Sequence, residues 1–257
     1  DAHAEAPTPI SVLLSGVMIK MAAYALVRTV SLFFPTWPVL TVFLVVIGVV
    51  TMLLGIILAL VQKDLKRLLA YSSMSQMGYI LAGVGLGTYL GCYGGLYHIL
   101  NHALFKALLF MCVGAIVFAT GIRKVDELGG LRRKMPITSG CFFLGVLAIA
   151  GFPPFNGFLS KLTIYLALAE AHMWWAVAMA VLTGILTMVV MVRTAFTVFW
   201  GKATVGNLVT MEIKEVPAMM WVPMVALALA CLLLGIFPRV LHPWLNEAAA
   251  VLATLGR

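Results

Sequence analysis

Charged residues are scarce in this chain, and acidic residues are the scarcest of them. Of 257 residues, 9 are Asp or Glu, 17 are Lys or Arg, and 63% are hydrophobic. A chain with so few polar side chains cannot cover a globular fold in water, which excludes an ordinary soluble enzyme. The composition therefore predicts an integral membrane protein.

The sequence also has few cysteines and no sign of a processed N-terminus. Its four cysteines, at positions 92, 112, 141 and 231, have no paired spacing, so neither a zinc site nor a disulfide framework is indicated. The chain starts at Asp1, with no initiator methionine and no signal-peptide pattern. We expect it to begin inside a longer protein.

Long uncharged runs are abundant. Residues 39–61 form 23 positions without a charge, and at about 1.5 Å per residue such a helix crosses a hydrocarbon core of roughly 30 Å. These runs lack the alternation of barrel strands, so the sequence predicts an all-α integral membrane bundle. We expect about seven transmembrane spans, at residues 10–34, 39–61, 68–88, 92–120, 137–170, 173–200 and 218–238.

The fifth span is too long for one membrane crossing. It contains the stretch "AGFPPFNGF", in which Pro153 and Pro154 lack the amide hydrogens that a continuous helix uses and Gly151 loosens the chain before them. We predict a helix broken at Gly151–Pro154. A break at membrane depth is tolerated where it is buried in protein or lines a wet cavity, although a kink that only serves packing is the alternative.

Basic residues cluster at the ends of alternate spans. When the spans are threaded alternately, ten lysines and arginines fall on one side and three arginines on the other. The ten are Lys63, Lys66, Arg67, Arg123, Lys124, Arg132, Arg133, Lys134, Lys202 and Lys214. The positive-inside rule places these ten in the cytoplasm, in a multi-pass protein of the cell (inner) membrane. Topology thus accounts for most of the net charge of +8, and no nucleic-acid partner is expected.

Three lysines are predicted to lie near the middle of the bilayer. Lys20 is ten residues into the first span, Lys106 is midway along the fourth, and Lys161 is nine residues from the end of the broken span. Each costs roughly 2.5–3.5 kcal/mol on insertion scales, so three on different helices favour a functional role over chance. Desolvation disfavours the ammonium form, so a buried lysine can exchange its proton at physiological pH. Ion-paired or helix-capping lysines are the alternative.

Two histidines share a helical face with one of these lysines. His98, His102 and Lys106 are spaced by four residues, which places them in a row over about 12 Å. This row indicates a proton relay along the membrane normal. The polar residues predicted to support it, by holding water, are Ser72, Ser73, Ser75, Gln76, Asn101 and Asn156.

Metal and haem binding compete for the histidines. Four-residue spacing suits a shared metal, but the residues between them include no acid, and Lys106 would repel a cation. A haem would need a histidine on a facing helix, and His172 is at a membrane end. We therefore expect neither a metal nor a cofactor in this chain.

Acidic residues are absent from the interior of every predicted span. A carboxylate that tunes the buried lysines must therefore lie in another part of the protein or in another subunit. His3 and Glu5, at the cytoplasmic start of the first span, form either a site of proton uptake or a solvated turn.

Four motifs carry a resemblance to a known family. They are "DAHAEAPTPISVLLSGVMIKMAAYALVR", "QKDLKRLLAYSSMSQMGYI", "YHILNHALFKALLF" and "GFPPFNGFLSKLTIY". Over residues 1 to about 202 the chain resembles the antiporter-like subunits of respiratory complex I, the Mrp Na⁺/H⁺ antiporter subunits and the ion-pumping subunits of membrane-bound hydrogenases. The resemblance implies a fourteen-helix fold of two inverted repeats, of which this chain is the C-terminal half. Residues 1–202 would form the translocation domain, and residues 203–257 a cytoplasmic loop, a last helix and an interfacial tail.

The resemblance also implies roles for the buried residues. Lys20 matches the lysine that links two half-channels, His98, His102 and Lys106 match the central positions, and Lys161 matches the broken-helix position. We expect protons to pass in the order Lys20, His102, His98, Lys106 and Lys161. The family's glutamate–lysine pair has no counterpart here. The family assigns no redox centre to such subunits, so redox cofactors are expected in hydrophilic partner subunits, beside other membrane subunits and the lipid bilayer.

Three functional hypotheses remain open from the sequence. The first is a proton-translocating, or Na⁺-coupled, subunit of a complex I-like NADH-quinone oxidoreductase or membrane-bound hydrogenase, without a catalytic centre of its own. The second is an Mrp-type Na⁺/H⁺ antiporter subunit. The third is a membrane scaffold with vestigial lysines.

Overall fold

The computed structural model describes residues 5–32, 38–202 and 212–254, and these are almost entirely helical. The helices are α1, made of Thr8–Leu13, a π-helical turn Leu14–Met18 and Ile19–Ser31; α2, Pro38–Leu60; α3, Leu65–Gly85; α4, Tyr89–Thr120; α5, Pro136–Ala150; α6, Asn156–Glu170; α7, Trp174–Trp200; α8, Ala218–Ile236; and α9, His242–Thr254. The predicted all-α architecture is confirmed.

The seven predicted spans correspond to α1, α2, α3, α4, the pair α5 and α6, α7 and α8. Within the described ranges, five helices are long and apolar enough to cross a membrane by themselves: α1, α2, α4, α7 and α8. Helix α3 has the length, but its serines, glutamine and N-terminal basic residues lower its hydropathy. The fifth predicted span is two half-helices, α5 and α6, each of 15 residues.

Local sequence signals fix the helix ends. Asp64 caps α3 by accepting hydrogen bonds from the amides of Lys66 and Arg67 at 2.8 and 3.0 Å. Thr88 caps α4 in the same way. Helix α4 ends at Gly121, whose φ of 70° is the left-handed conformation that glycine adopts without strain.

Helix α4 occupies the centre of the bundle and packs against α1, α3, α5, α6, α8 and α9. The apolar core is built mainly from residues of α3, α4, α5, α7 and α8, and includes Phe105, Phe142 and Phe199. Helices α2 and α3 approach closely, because a Cβ at Gly78 would lie 2.5 Å from the carbonyl oxygen of Gly48. Such small residues let transmembrane backbones pack directly against each other.

Basic loops meet at one end of the bundle. The segment before α3 and the segment after α4 pair through backbone hydrogen bonds, from the Val125 amide to Lys63 and from the Leu65 amide to Arg123. Lys66 is buried there and donates to the carbonyl oxygen of Ala6 at 2.9 Å. The start of α1 therefore lies at the same end as these basic residues, as the alternating threading predicts.

Candidate functional site

Lys106 lies in the middle of α4 and is completely buried. Its Nζ donates hydrogen bonds to the carbonyl oxygen of Leu69 at 2.7 Å and to the hydroxyl of Ser72 at 2.6 Å, both on α3. The lysine is therefore held by neutral acceptors, with the ring of Phe110 at 6.0 Å on another side. These partners satisfy an ammonium group but do not neutralise its charge.

Lys20 follows the π-helical turn of α1 and donates to the carbonyl oxygen of Ser15 inside that turn. The hydroxyl of Ser15 shares a hydrogen bond of 3.1 Å with Ser73 of α3, and Ser73 donates to Leu69 O at 3.0 Å. Leu69 O also accepts from Lys106. Lys20 and Lys106 thus belong to one set of connected polar groups, which we call the Lys106 cluster: Ser15, Lys20, Leu69, Ser72, Ser73 and Lys106.

A second polar set surrounds His98, which is also completely buried. Its Nδ1 lies 2.9 Å from the Ser160 hydroxyl of α6, and its Nε2 lies 3.2 Å from Oε1 of Gln76 on α3. Next to it, Asn101 donates to the Asn156 carbonyl at 3.1 Å, and the Asn156 side-chain amide donates to Asn101 Oδ1 at 3.0 Å. We call these residues the His98 cluster: Gln76, His98, Asn101, Asn156 and Ser160.

Lys161 lies at the helix break. Its Nζ donates to the carbonyl oxygens of Ile149 and Ala150, at 2.8 and 3.3 Å, and so caps the C-terminus of α5. A cation at this position is favoured by the partial negative charge of a helix C-terminus. The same Nζ lies 5.0 Å from the ring centroid of Tyr79.

The helix is broken at the residues predicted from the sequence. Helix α5 ends at Ala150, Gly151 adopts a φ of 81°, and α6 begins at Asn156, so Pro153 and Pro154 lie in the non-helical segment. Close approach of the two half-helices requires Gly157, because a Cβ there would lie 1.9 Å from the Ala148 carbonyl oxygen. The broken helix of the sequence analysis is confirmed.

His102 lies between the two clusters. Its ring is nearly parallel to that of His98, with a centroid separation of 6.2 Å and an interplanar angle of 12°. Both of its nitrogens are buried and have no hydrogen-bond partner in the part of the chain that the structure describes. The Ser75 hydroxyl is likewise buried and has no hydrogen-bond partner among the described residues. A buried histidine with no fixed partner can bind a water molecule or a proton.

The described carboxylates lie at helix ends, in loops and, for Glu247, on the exposed side of α9. Lys20, Lys106 and Lys161 form no ion pair with any described Asp or Glu. Glu5 pairs with Arg67 and Arg123 at 3.7 and 3.8 Å at the basic end. His3, the other predicted uptake residue, lies outside the described residues.

Residue spacing missed several members of the site. Ser160, Ser15 and the Leu69 carbonyl were not predicted, although Ser160 lies four residues after Asn156 and directly before Lys161. Tyr79, whose ring faces Lys161 and whose hydroxyl donates to the Ala180 carbonyl, was also missed. No group of three His, Cys, Asp or Glu converges on a metal-sized site among the described residues.

Comparison with known proteins identifies the family. A family model described as NADH:quinone oxidoreductase/Mrp antiporter, transmembrane, matches residues 1–187. The chain belongs to this family. It is an integral membrane protein with the antiporter-like fold.

Oxidoreductase subunits and antiporter subunits of this family are both similar to the chain. It is 37% identical over 252 residues to an NADH-quinone oxidoreductase subunit of Desulforudis audaxviator, covering 92% of this chain and 50% of that protein. It is also 37% identical over 199 residues to an Na⁺/H⁺ antiporter subunit of Alkalihalophilus pseudofirmus, covering 76% and 40%. The Mrp complex from Dietzia sp. DQ12-45-1b contains a chain that superposes with a TM-score of 0.91 at 28% identity, covering 98% and 55%. The present chain spans about half the length of these relatives.

Proposed function

We propose that this chain is the C-terminal part of a proton-translocating membrane subunit of a complex I-like NADH-quinone oxidoreductase or a related membrane-bound hydrogenase. One observation supports this most strongly. Three buried lysines on three helices are held by carbonyl and hydroxyl oxygens, without a carboxylate among the described residues. Desolvation favours the neutral amine, whereas the acceptor oxygens favour the ammonium form, so such a lysine can change its protonation when its surroundings change.

The contacts support a particular order of transfer. Protons would enter from the cytoplasmic end, where Glu5 lies, and reach Lys20 and Lys106 through the Ser15–Ser73 hydrogen bond. The proton would then pass to His102, His98 and finally the Ser160–Lys161 region. This order differs from the sequence-based expectation, in which His102 and His98 precede Lys106. Because α4 runs from the opposite end towards the basic loops, Lys106 is nearer those loops than either histidine.

The remaining parts of the proposal concern the assembly. The subunit would lie in the cell (inner) membrane, with the basic loops in the cytoplasm. Residues 1–202 would form the translocation domain and residues 203–257 the loop, last helix and interfacial tail. Redox cofactors would be held by hydrophilic partner subunits, and this chain would hold none. Electron transfer there would drive the lysines between charged and neutral states through neighbouring membrane subunits.

An Mrp-type Na⁺/H⁺ antiporter subunit is the second candidate. The antiporter subunit of A. pseudofirmus and the oxidoreductase subunit of D. audaxviator match this chain at the same percentage identity, which keeps this function open. The same buried groups would then exchange protons against Na⁺ without a redox partner. Proton movement that requires Na⁺ and no electron donor would favour this candidate.

The proposed function is tested by replacing the buried lysines in the intact assembly. The full-length subunit carrying Lys106→Ala or Lys161→Ala would be reconstituted with its partners in sealed vesicles, and internal pH would be followed during turnover. Both variants should lose pumping, and the coupled electron transfer should slow. The matched control is Lys214→Ala, because Lys214 is an exposed loop lysine that pairs with Glu212. Pumping at the wild-type rate in both buried-lysine variants would contradict the proposal.

A further inference from the structure

A row of tyrosines at the start of α4 leads to Asn101 of the His98 cluster. Tyr89, Tyr93 and Tyr97 are spaced by four residues, and their ring centroids are 6.3 and 6.1 Å apart in succession. They lie at the beginning of α4, at the end of the bundle opposite the basic loops. The relay described above does not use them.

The inner end of this row adjoins the His98 cluster. Tyr97 is only 3% exposed, and its hydroxyl donates to the Leu234 carbonyl of α8 at 3.2 Å. It lies one helical turn before Asn101, which is paired with Asn156 at the helix break. Tyr97 is therefore the next polar side chain of this face of α4 beyond the asparagine pair, in the direction of the opposite surface.

The outer end of the row contacts a histidine at the surface. The Tyr93 hydroxyl lies 3.1 Å from Nδ1 of His242, the first residue of α9. Nε2 of His242 lies 3.0 Å from the Asn246 side-chain nitrogen, and the Tyr89 hydroxyl donates to Asn246 Oδ1. Both ring nitrogens of His242 thus have oriented partners, and the group is accessible to solvent.

These contacts exceed what docking of α9 requires. Helix α9 is already attached by an apolar face, in which Leu245, Ala249 and Leu252 are each no more than 5% exposed. Burial of such side chains provides the main free energy of docking between packed helices. The polar contacts around His242 are therefore not needed to dock α9.

We propose that Tyr97, Tyr93 and His242 form the path by which protons leave the His98 cluster on the side opposite the basic loops. This proposal rests on the proposed function. The Tyr97 hydroxyl donates to the Leu234 carbonyl, so it orients water rather than passing its own hydrogen onward, and no tyrosine is ionised. Between Tyr97 and Tyr93, whose contact is through their rings, the proton crosses on water. The Asn246 side-chain nitrogen can only donate, so Nε2 of neutral His242 accepts from it and Nδ1–H faces the Tyr93 oxygen. When Asn246 turns away, His242 takes the proton from water at Nε2 and releases it from the same nitrogen to the solvent, which returns the ring to its neutral form.

The test uses His242→Ala and Tyr97→Phe in the full-length subunit, reconstituted with its partners in sealed vesicles. Tyr97→Phe removes one oxygen and keeps the ring, so it preserves packing. Tyr24→Phe is the matched control, because Tyr24 is exposed and its hydroxyl accepts from Arg28, one turn along α1. Each path variant should slow pumping by about a hundredfold, the lower end of what a positioned proton-transferring group contributes, and the control should not.

Addition of imidazole on the side facing His242 distinguishes a role of His242 in proton transfer from a role in docking α9. The small base should restore pumping in His242→Ala, whereas it cannot replace a lost packing contact. Pumping at the wild-type rate in both path variants, while Lys106→Ala is inactive, would overturn the exit path and leave the proposed function intact. Normal pumping by Lys106→Ala would contradict the proposed function itself. Slow pumping in His242→Ala that imidazole does not restore, with normal pumping in Tyr97→Phe, would also overturn the exit path.

Discussion

Glu215 and Lys161 bind opposite ends of the same half-helix. Oε2 of Glu215 accepts from the amides of Ile137 and Thr138 at the start of α5, at 2.7 and 3.2 Å, and Oε1 accepts from the Thr138 hydroxyl at 2.6 Å. Lys161 donates to the last carbonyls of α5, 2.8 Å from that of Ile149. A negative charge at the N-terminus and a positive charge at the C-terminus both complement the helix dipole. The segment before α8 is thereby attached to α5, the half-helix whose last carbonyl oxygens bind the Lys161 side chain.

Removal of the Glu215 cap should destabilise the protein. Glu215→Ala leaves two amides and a hydroxyl without their acceptor, and loss of an N-cap costs about 1 kcal/mol of folding free energy. The thermal unfolding temperature of the detergent-purified protein should fall. Glu212→Ala is the matched control, because its side chain is 88% exposed and pairs with the exposed Lys214. Equal unfolding temperatures for the two variants would argue against a capping role.

Much of the fold could be predicted from the sequence, for a simple physical reason. A lipid environment admits only helices of sufficient apolar length, so uncharged runs reveal the spans, and consecutive prolines reveal the break. Helix α3 is less apolar than most of the other spans, because its polar residues face the buried site rather than lipid, but its uncharged run from Leu68 onwards still predicts a span. The π-helical turn of α1 could not be predicted from the residue pattern, since a single glycine in "LSGVM" weakens a helix without distinguishing a π-helical turn from an α-helical one.

The candidate site was only partly predictable. Four-residue spacing correctly placed His98, His102 and Lys106 along one face of α4, but it could not show which neighbour each contacts. That depends on the packing of α3 and α6, which sets Lys106 against Leu69 and Ser72, and His98 against Gln76 and Ser160. The proton-relay roles of these residues remain a prediction.

The two half-helices should not tolerate a side chain at Gly157. A Cβ there would lie 1.9 Å from the Ala148 carbonyl oxygen, so α5 and α6 would have to separate. Overpacking of this kind costs about 1–3 kcal/mol, and Gly157→Ala should lower the unfolding temperature and displace Lys161. Gly140→Ala, in α5, meets nothing within 4 Å and should leave stability unchanged or raise it. Similar unfolding temperatures for the two alanine variants would contradict this close approach.

Two serines one turn apart on α3 should differ in their effect on pumping. Ser72 accepts from Lys106 at 2.6 Å, whereas the buried Ser75 hydroxyl has no partner in the described part of the chain. Ser72→Ala removes one of two acceptors of the ammonium group and so disfavours its protonated form. We expect slower proton translocation in Ser72→Ala than in Ser75→Ala, measured in reconstituted vesicles. The reverse ranking would show that Ser75, through bound water, is the more important group.

The asparagine pair should show strong energetic coupling. Asn101 and Asn156 exchange two hydrogen bonds across α4 and α6, and both residues are completely buried. Each single alanine variant leaves a buried polar group unsatisfied, at a cost of about 1–3 kcal/mol. The double variant removes both side chains, so its loss in unfolding free energy should be smaller than the sum of the single losses by about 1 kcal/mol. A denaturant titration of all four proteins measures this difference, and additive losses would mean that the two side chains stabilise the break independently.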